Sequence, residues 1–243
     1  MKRLLFGLLG SLIIFSGGFE YYIRTPFEAG KLDDVSRVLL SRGGSVLELR
    51  LNSKGYWRQR VSLKDIDPIL VEALIAYEDA RFYSHGGVDI FSATRALKDL
   101  VSRGYVVSGA STLTMQLARL LEPSLGKRTL LTKLHQMAYA LKLEHQLSKS
   151  EILEAYFTLA PYGGNIEGIK AASYAWLQKS PDSLTMSEAA LFVALPQSPE
   201  ARRPDRNPAE AIVAKNRVLS SISAKLGITQ DALDELLLED LQF

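Results

Sequence analysis

The 243-residue chain contains no cysteine. Disulfide frameworks, thiolate zinc sites, iron–sulfur clusters and thiol nucleophiles are therefore excluded. Histidine is scarce: His85, His135 and His145 are the full set, and no two stand at the i, i+4 spacing of a helical zinc pair. Charge of one sign is lacking too, since 29 Lys and Arg against 27 Asp and Glu leave a formal +2, too little to mark a nucleic-acid binder. What is present is ordinary globular composition, 47% hydrophobic and 23% charged, which excludes a disordered chain. The length suits one large domain with a small accessory region.

The N-terminus is the least ordinary part. Met1-Lys2-Arg3 precedes LLFGLLGSLIIFSGGF, an uncharged run from Leu4 to Phe19. As a helix it spans about 24 Å, and about 30 Å if continued to Ile23, one hydrocarbon thickness. A cleaved signal peptide shares the basic start and apolar run, but no A-x-A-like site follows. The expectation is an uncleaved anchor over residues 1–24, with Lys2 and Arg3 inside and the remainder outside the cytoplasmic membrane.

Residues 25–65 read as a β-rich stalk. SRVLL and SVLELRL alternate apolar and polar positions around Ser41-Arg42-Gly43-Gly44, and YWRQRVSL adds a third expected strand. From residue 66 to 243 the pattern is helical. Asp67-Pro68 caps ILVEALIAYEDARF, and helical periodicity recurs near 90–103, 111–121 and 129–147. Capping boxes at Ser148/Glu151 and Thr185/Glu188 open two more helices, Asn207-Pro208 a long one, and Thr229 a short last one. The fold class expected is mainly α, with a small β-rich stalk and one transmembrane helix.

Three features carry candidate chemistry, each with a structural alternative. Glu78 follows Leu70 and Leu74 on an apolar helical stripe, where burial would raise its pKa and suit it to proton transfer. Alternatively it is an end-of-helix glutamate paired with Arg81. In GASTLTMQLARLL, residues Gly109 to Thr112 open a helix whose N–H groups and hydroxyls suit an oxyanion. Alternatively Ser111 or Thr112 is only its cap. Arg119, Lys127, Arg128, Lys133 and Lys142 form a cationic run suited to a diphosphate, or else a solvated helical face.

In order, EDARFYSHGGVD, Arg95, GASTLTMQLAR, a basic linker, LSKSEILEAYF and SEAALFVALPQSP resemble the peptidoglycan glycosyltransferase domain, glycosyltransferase family 51. That domain forms the N-terminal half of class A penicillin-binding proteins. The likeness covers residues 45–220, and GASTLTMQLARLL, APYGGNIEGIKAASYAWLQKSP and LPQSPEARRPDR are nearest to the 1C branch.

The resemblance implies a lysozyme-like helical fold that polymerises lipid II at the outer face of the cytoplasmic membrane, with inversion and release of undecaprenyl diphosphate. Glu78 matches the general base. Arg95, Arg119, Arg128 and Lys133 match positions that hold the donor diphosphate, while Ser111, Thr112 and Gln116 match the motif that shapes the cleft floor. Two positions depart. Met115 replaces a glutamine, and Gln136 replaces the second acidic residue, which in the family aids the leaving group through a divalent metal. An amide still donates to a phosphate oxygen but supplies no charge for a cation.

The sequence itself requires no cofactor and holds no metal-ligand set; the resemblance makes magnesium the candidate divalent cation. The partners implied are lipid II, the growing glycan strand, the cytoplasmic membrane and other cell-wall synthesis proteins, with no nucleic acid. Ser124-Leu125-Gly126-Lys127 is an isolated S-x-x-K with no S-x-N or K-T-G after it, so peptide cross-linking is not encoded in this chain. Two rivals remain: a lytic transglycosylase or muramidase that cuts glycan with one glutamate, and a membrane-tethered scaffold for which Gln136 argues. Residues 97–109, with Leu100, Val101, Tyr105, Val106 and Val107, are expected either to dip into the lipid interface or to pack as a loop.

Overall fold

The structure is a computed structural model describing residues 17–40, 42, 46–103, 111–126, 129–239, 241 and 243. Most of the expected anchor (residues 1–16), the 104–109 part of the interface segment, and Lys127 and Arg128 lie outside the described residues. Residues 17–24 are helical, but no helix among the described residues is long and apolar enough to cross a membrane. Gln146 Nε2 fastens the end of this first helix by donating to the Ile23 and Thr25 carbonyls, each at 2.7 Å.

After the short helix α1 (Gly30–Asp33), strands β1 (Arg37–Leu40) and β2 (Val46–Arg50) form an antiparallel hairpin pairing Arg37 with Arg50. The third expected strand is corrected: β3 is only Trp57–Arg58, and it pairs in parallel with β4 (Ile166–Glu167) instead of joining the hairpin. The cause is the fully buried Arg58 side chain. It pairs with Glu167 and donates to the Lys31 carbonyl at 2.6 Å and the Asp34 carbonyl at 3.0 Å. A buried guanidinium needs its partners in place, so this cluster fixes β3 to the head.

The remaining helices are α2 (Pro68–Glu78), α3 (Ile90–Arg103), α4 (Leu113–Leu121), α5 (Leu130–Gln146), α6 (Lys149–Leu159), α7 (Ile169–Leu177), α8 (Met186–Ala194), α9 (Pro208–Ile222) and α10 (Gln230–Leu238). The mainly α expectation holds. Asp67 caps α2, accepting from Ile69 N at 3.0 Å, with Pro68 in the first turn, and both expected capping boxes form. Helix α2 ends at Glu78, four residues short of the expected Phe82. Asp79 leaves helical geometry and commits its side chain elsewhere.

Helix α8 is buried on every side from Ser187 through Ala194 and, past Ser187 and Glu188 in its first turn, wholly apolar, as suits a central helix. It packs between α2 and α9, while α4 packs on α5 and α6. Along α4, Leu113, Leu117 and Leu121 recur every four residues and enter the core, which turns Gln116 and Arg119 the other way. The C-terminal end of α2 thus lies between two helical walls.

Candidate active site

A cleft of about 780 Å³ opens at that end of α2. Glu78 lines it, half-buried, and each of its oxygens is held by an amide from a different wall. Gln116 Nε2, on α4, donates to Oε2 at 2.7 Å; Gln197 Nε2, just beyond α8, donates to Oε1 at 2.7 Å. Arg202 Nη1 donates to Gln197 Oε1 at 3.2 Å and to the Ala194 carbonyl at 2.6 Å, which fixes the orientation of the Gln197 amide. Among the described residues no cation pairs with Glu78. Two neutral donors orient the carboxylate and leave it acceptor capacity, since an ionised carboxylate has about four lone-pair sites. Beneath it, Tyr156 is buried, and that burial, then the Glu78 charge, pushes its phenol pKa well above the usual value.

The neighbouring Asp79 builds the frame. Its buried carboxylate accepts from His85 Nε2 at 2.9 Å and from the Leu113 backbone N–H at 3.0 Å, at the start of α4. Thr112 caps α4 by accepting from Met115 N at 3.1 Å, and its hydroxyl donates to the Gly87 carbonyl at 2.6 Å. Gly87 sits at φ +97°, and a Cβ there would come within 2.8 Å of the Ala140 carbonyl oxygen, so only glycine fits. The loop after Glu78 and the helix carrying Gln116 and Arg119 are therefore one closed network. The Leu113 and Met115 N–H groups are spent on Asp79 and Thr112, so Thr112 takes the cap role that the alternative reading gives it.

Arg81 does not pair with Glu78 either. It pairs with Asp89, which also accepts from the Ser92 hydroxyl at 2.7 Å. Burial pushes the Asp89 pKa up, but the hydrogen bonds from Arg81 and Ser92 outweigh it and hold the carboxyl well below the usual carboxylate range. Ser92 Oγ in turn accepts from Arg95 Nη2 at 3.1 Å, which leaves the rest of an exposed guanidinium at the cleft. Arg119 is exposed at the cleft with no carboxylate partner among the described residues. Lys133 Nζ donates to Ser111 Oγ, and burial followed by the Arg119 charge lowers the Lys133 pKa.

The cleft therefore holds a glutamate clamped by two amides, with no cation paired to it among the described residues, together with Arg95 and Arg119. The transglycosylase family model matches residues 44–223. The chain belongs to the transglycosylase family. Penicillin-binding protein 1C of Escherichia coli (strain K12) is 46% identical over 190 residues, 78% of this chain and 24% of that protein. Penicillin-binding protein 1A of Neisseria flavescens is 36% identical over 186 residues, 76% of this chain and 23% of its own. A crystal structure of penicillin-binding protein 1A from Haemophilus influenzae is similar over 86% of this chain and 21% of its own, at 20% identity and a TM-score of 0.47. The chain thus spans about a quarter of the length of the curated relatives it matches.

In this transglycosylase the cleft brings together Glu78, Arg95, Ser111, Thr112, Gln116 and Arg119. Lys133 reaches the site through Ser111, and Arg128 is outside the described residues. Gln136 is buried beside the cleft and does not line it, and its Nε2 donates to the Leu125 carbonyl at 2.5 Å. Lys142 leaves the cationic run, because nine residues beyond Lys133 a helix has turned by about 180°. There it donates to Thr25 Oγ1 at 3.1 Å and lies 4.8 Å from the centre of the Tyr22 ring.

Sequence reasoning missed Gln197, Arg202 and Lys225. The first two lie inside the LPQSPEARRPDR motif, so a signal was present. Lys225, which lines the cleft and donates to the Ala76 carbonyl at 2.5 Å, lies beyond every matched motif.

Proposed function

We propose that this transglycosylase is a peptidoglycan glycosyltransferase that polymerises lipid II. The 4-hydroxyl of the incoming lipid II gives its proton to Glu78 as its oxygen bonds to the anomeric carbon of the growing strand. The bond from that carbon to the diphosphate breaks, configuration inverts, and undecaprenyl diphosphate leaves with the bonding pair. One observation supports this reading above the rest: Glu78 carries two amide donors and, among the described residues, no ion pair, in the same cleft as Arg119, which has no carboxylate partner among them. A positioned base contributes about 10²–10⁴-fold. Much of the remaining barrier falls to charge stabilisation by Arg95, Arg119, Arg128 and Lys133, and to positioning.

The lysozyme-like reading of the fold rests on family membership. A lipid-linked donor requires an enzyme held at the bilayer, and the apolar run from Leu4 supports a single-pass anchor with the helical domain outside the cytoplasmic membrane. The growing glycan strand and other cell-wall synthesis proteins are the partners this reading carries. Labelled lipid II and intact sacculi, incubated separately with the protein, test it. Polymer from lipid II supports the proposal; soluble muropeptides from sacculi with no polymer from lipid II favour the lytic rival.

A further inference from the structure

The resemblance brings with it a divalent cation at the leaving diphosphate, and the residues of this cleft do not fit one. Hard divalent cations take carboxylate and carbonyl oxygens. Here Asp79 is engaged by His85 and the Leu113 N–H and Asp89 by Arg81 and Ser92, while Glu78, held by two amides, keeps its remaining acceptor capacity for the proton. Among the described residues no three His, Asp or Glu side chains stand together as a metal-holding group. On the Ser111 side of the cleft stand the Lys133 ammonium, the Ser111 hydroxyl and the Gln136 carboxamide, with the ammonium near enough to Arg119 for the two charges to interact.

Lys133 Nζ donates to Ser111 Oγ and faces Gln136 Oε1 at 3.4 Å. The bond from Gln136 Nε2 to the Leu125 carbonyl decides which end of the amide is which, so the oxygen is the end turned to Lys133. A carboxylate at position 136 would set an anionic oxygen against the Leu125 carbonyl and put a counter-charge on Lys133. The amide does neither. The lowered Lys133 pKa agrees, because its causes are burial and a second cation, with no anion among them.

We propose that Gln136 is a positioning residue that holds Lys133 as an unpaired cation beside Arg119, and that these two side chains supply at the leaving diphosphate the neutralisation a divalent cation would give. The inference rests on the glycosyltransferase reading of the cleft. A diphosphate offers oxygens for both cations, an ammonium acting as a point charge and a guanidinium as a planar fork.

The full chain in detergent tests this by lipid II polymerisation and by calorimetric binding of inorganic pyrophosphate, each in EDTA and in magnesium. The wild type is expected to bind pyrophosphate and to polymerise lipid II undiminished in EDTA. Gln136→Glu is expected to bind pyrophosphate about tenfold more weakly in EDTA, the worth of one charge-assisted hydrogen bond. Its KM for lipid II should rise more than its kcat falls, with magnesium restoring part of the loss. Gln136→Met, of similar length and uncharged, should gain no magnesium response, which separates the introduced charge from a packing defect. Wild-type activity that collapses in EDTA, or a Gln136→Glu variant that binds pyrophosphate as the wild type does, overturns the proposal. Metal-free pyrophosphate binding that depends on position 136, in a protein that makes no glycan, upholds the cation site and rejects the glycosyltransferase reading.

Discussion

His85 Nε2 lies 2.9 Å from Asp79 Oδ1, and the Gly87 N–H donates to His85 Nδ1 at 3.2 Å. The second bond assigns the ring proton to Nε2 and aims it at the carboxylate. Asp79 therefore joins the loop after Glu78 to the first turn of α4, and the distance between base and cations depends on it. Asp79→Asn removes a buried, charged acceptor shared by two donors. It should cost about 3 kcal/mol in urea denaturation. Activity should fall as well, since α4 carries both Gln116 and Arg119. Unchanged stability would mean that the network does not hold the site.

Asp89 gives a pH dependence of known sign. Its folded pKa lies below the ordinary 3.8 because the hydrogen bonds from Arg81 and Ser92 outweigh burial. A depressed folded pKa adds stability that is complete above the unfolded value and is lost as pH falls toward the folded one. Urea denaturation across the acid range should show wild-type stability falling more steeply than that of Asp89→Asn below about pH 4. Parallel curves would remove Asp89 from the account.

Lys133 predicts an alkaline limit. Burial and Arg119 hold its pKa below the ordinary 10.5, so as pH rises its charge is lost earlier than that of an ordinary lysine. Pyrophosphate affinity, followed by titration from neutral to alkaline pH, should fall earlier than for an ordinary lysine. Lys133→Arg, whose guanidinium stays protonated above pH 12, should abolish the fall. Identical profiles for the two proteins would place Lys133 outside the anion site.

Local chemistry was legible in the chain, and contacts between distant segments were not. The caps at Asp67, Thr185 and Ser148 depend on residues two or three positions away, so their types suffice to place them. Glu78 stood out by its apolar flank. Its clamp Gln197 is 119 residues away, and nothing in LPQSP states which carboxylate the amide meets. The pairing of Arg58 with Glu167 across 109 residues likewise turned an expected stalk strand into part of the head. Gln136 was legible as a neutral exchange, but its orientation depends on where the Leu125 carbonyl falls, which only packing decides.

Glu78→Gln tests the central claim most directly, with lipid II polymerisation and lipid II binding measured on the same preparation. The amide is nearly isosteric but is no proton acceptor at neutral pH. Loss of polymerisation by the 10²–10⁴-fold typical of a base, with lipid II affinity kept, is the result this account predicts. Polymerisation at the wild-type rate would contradict it.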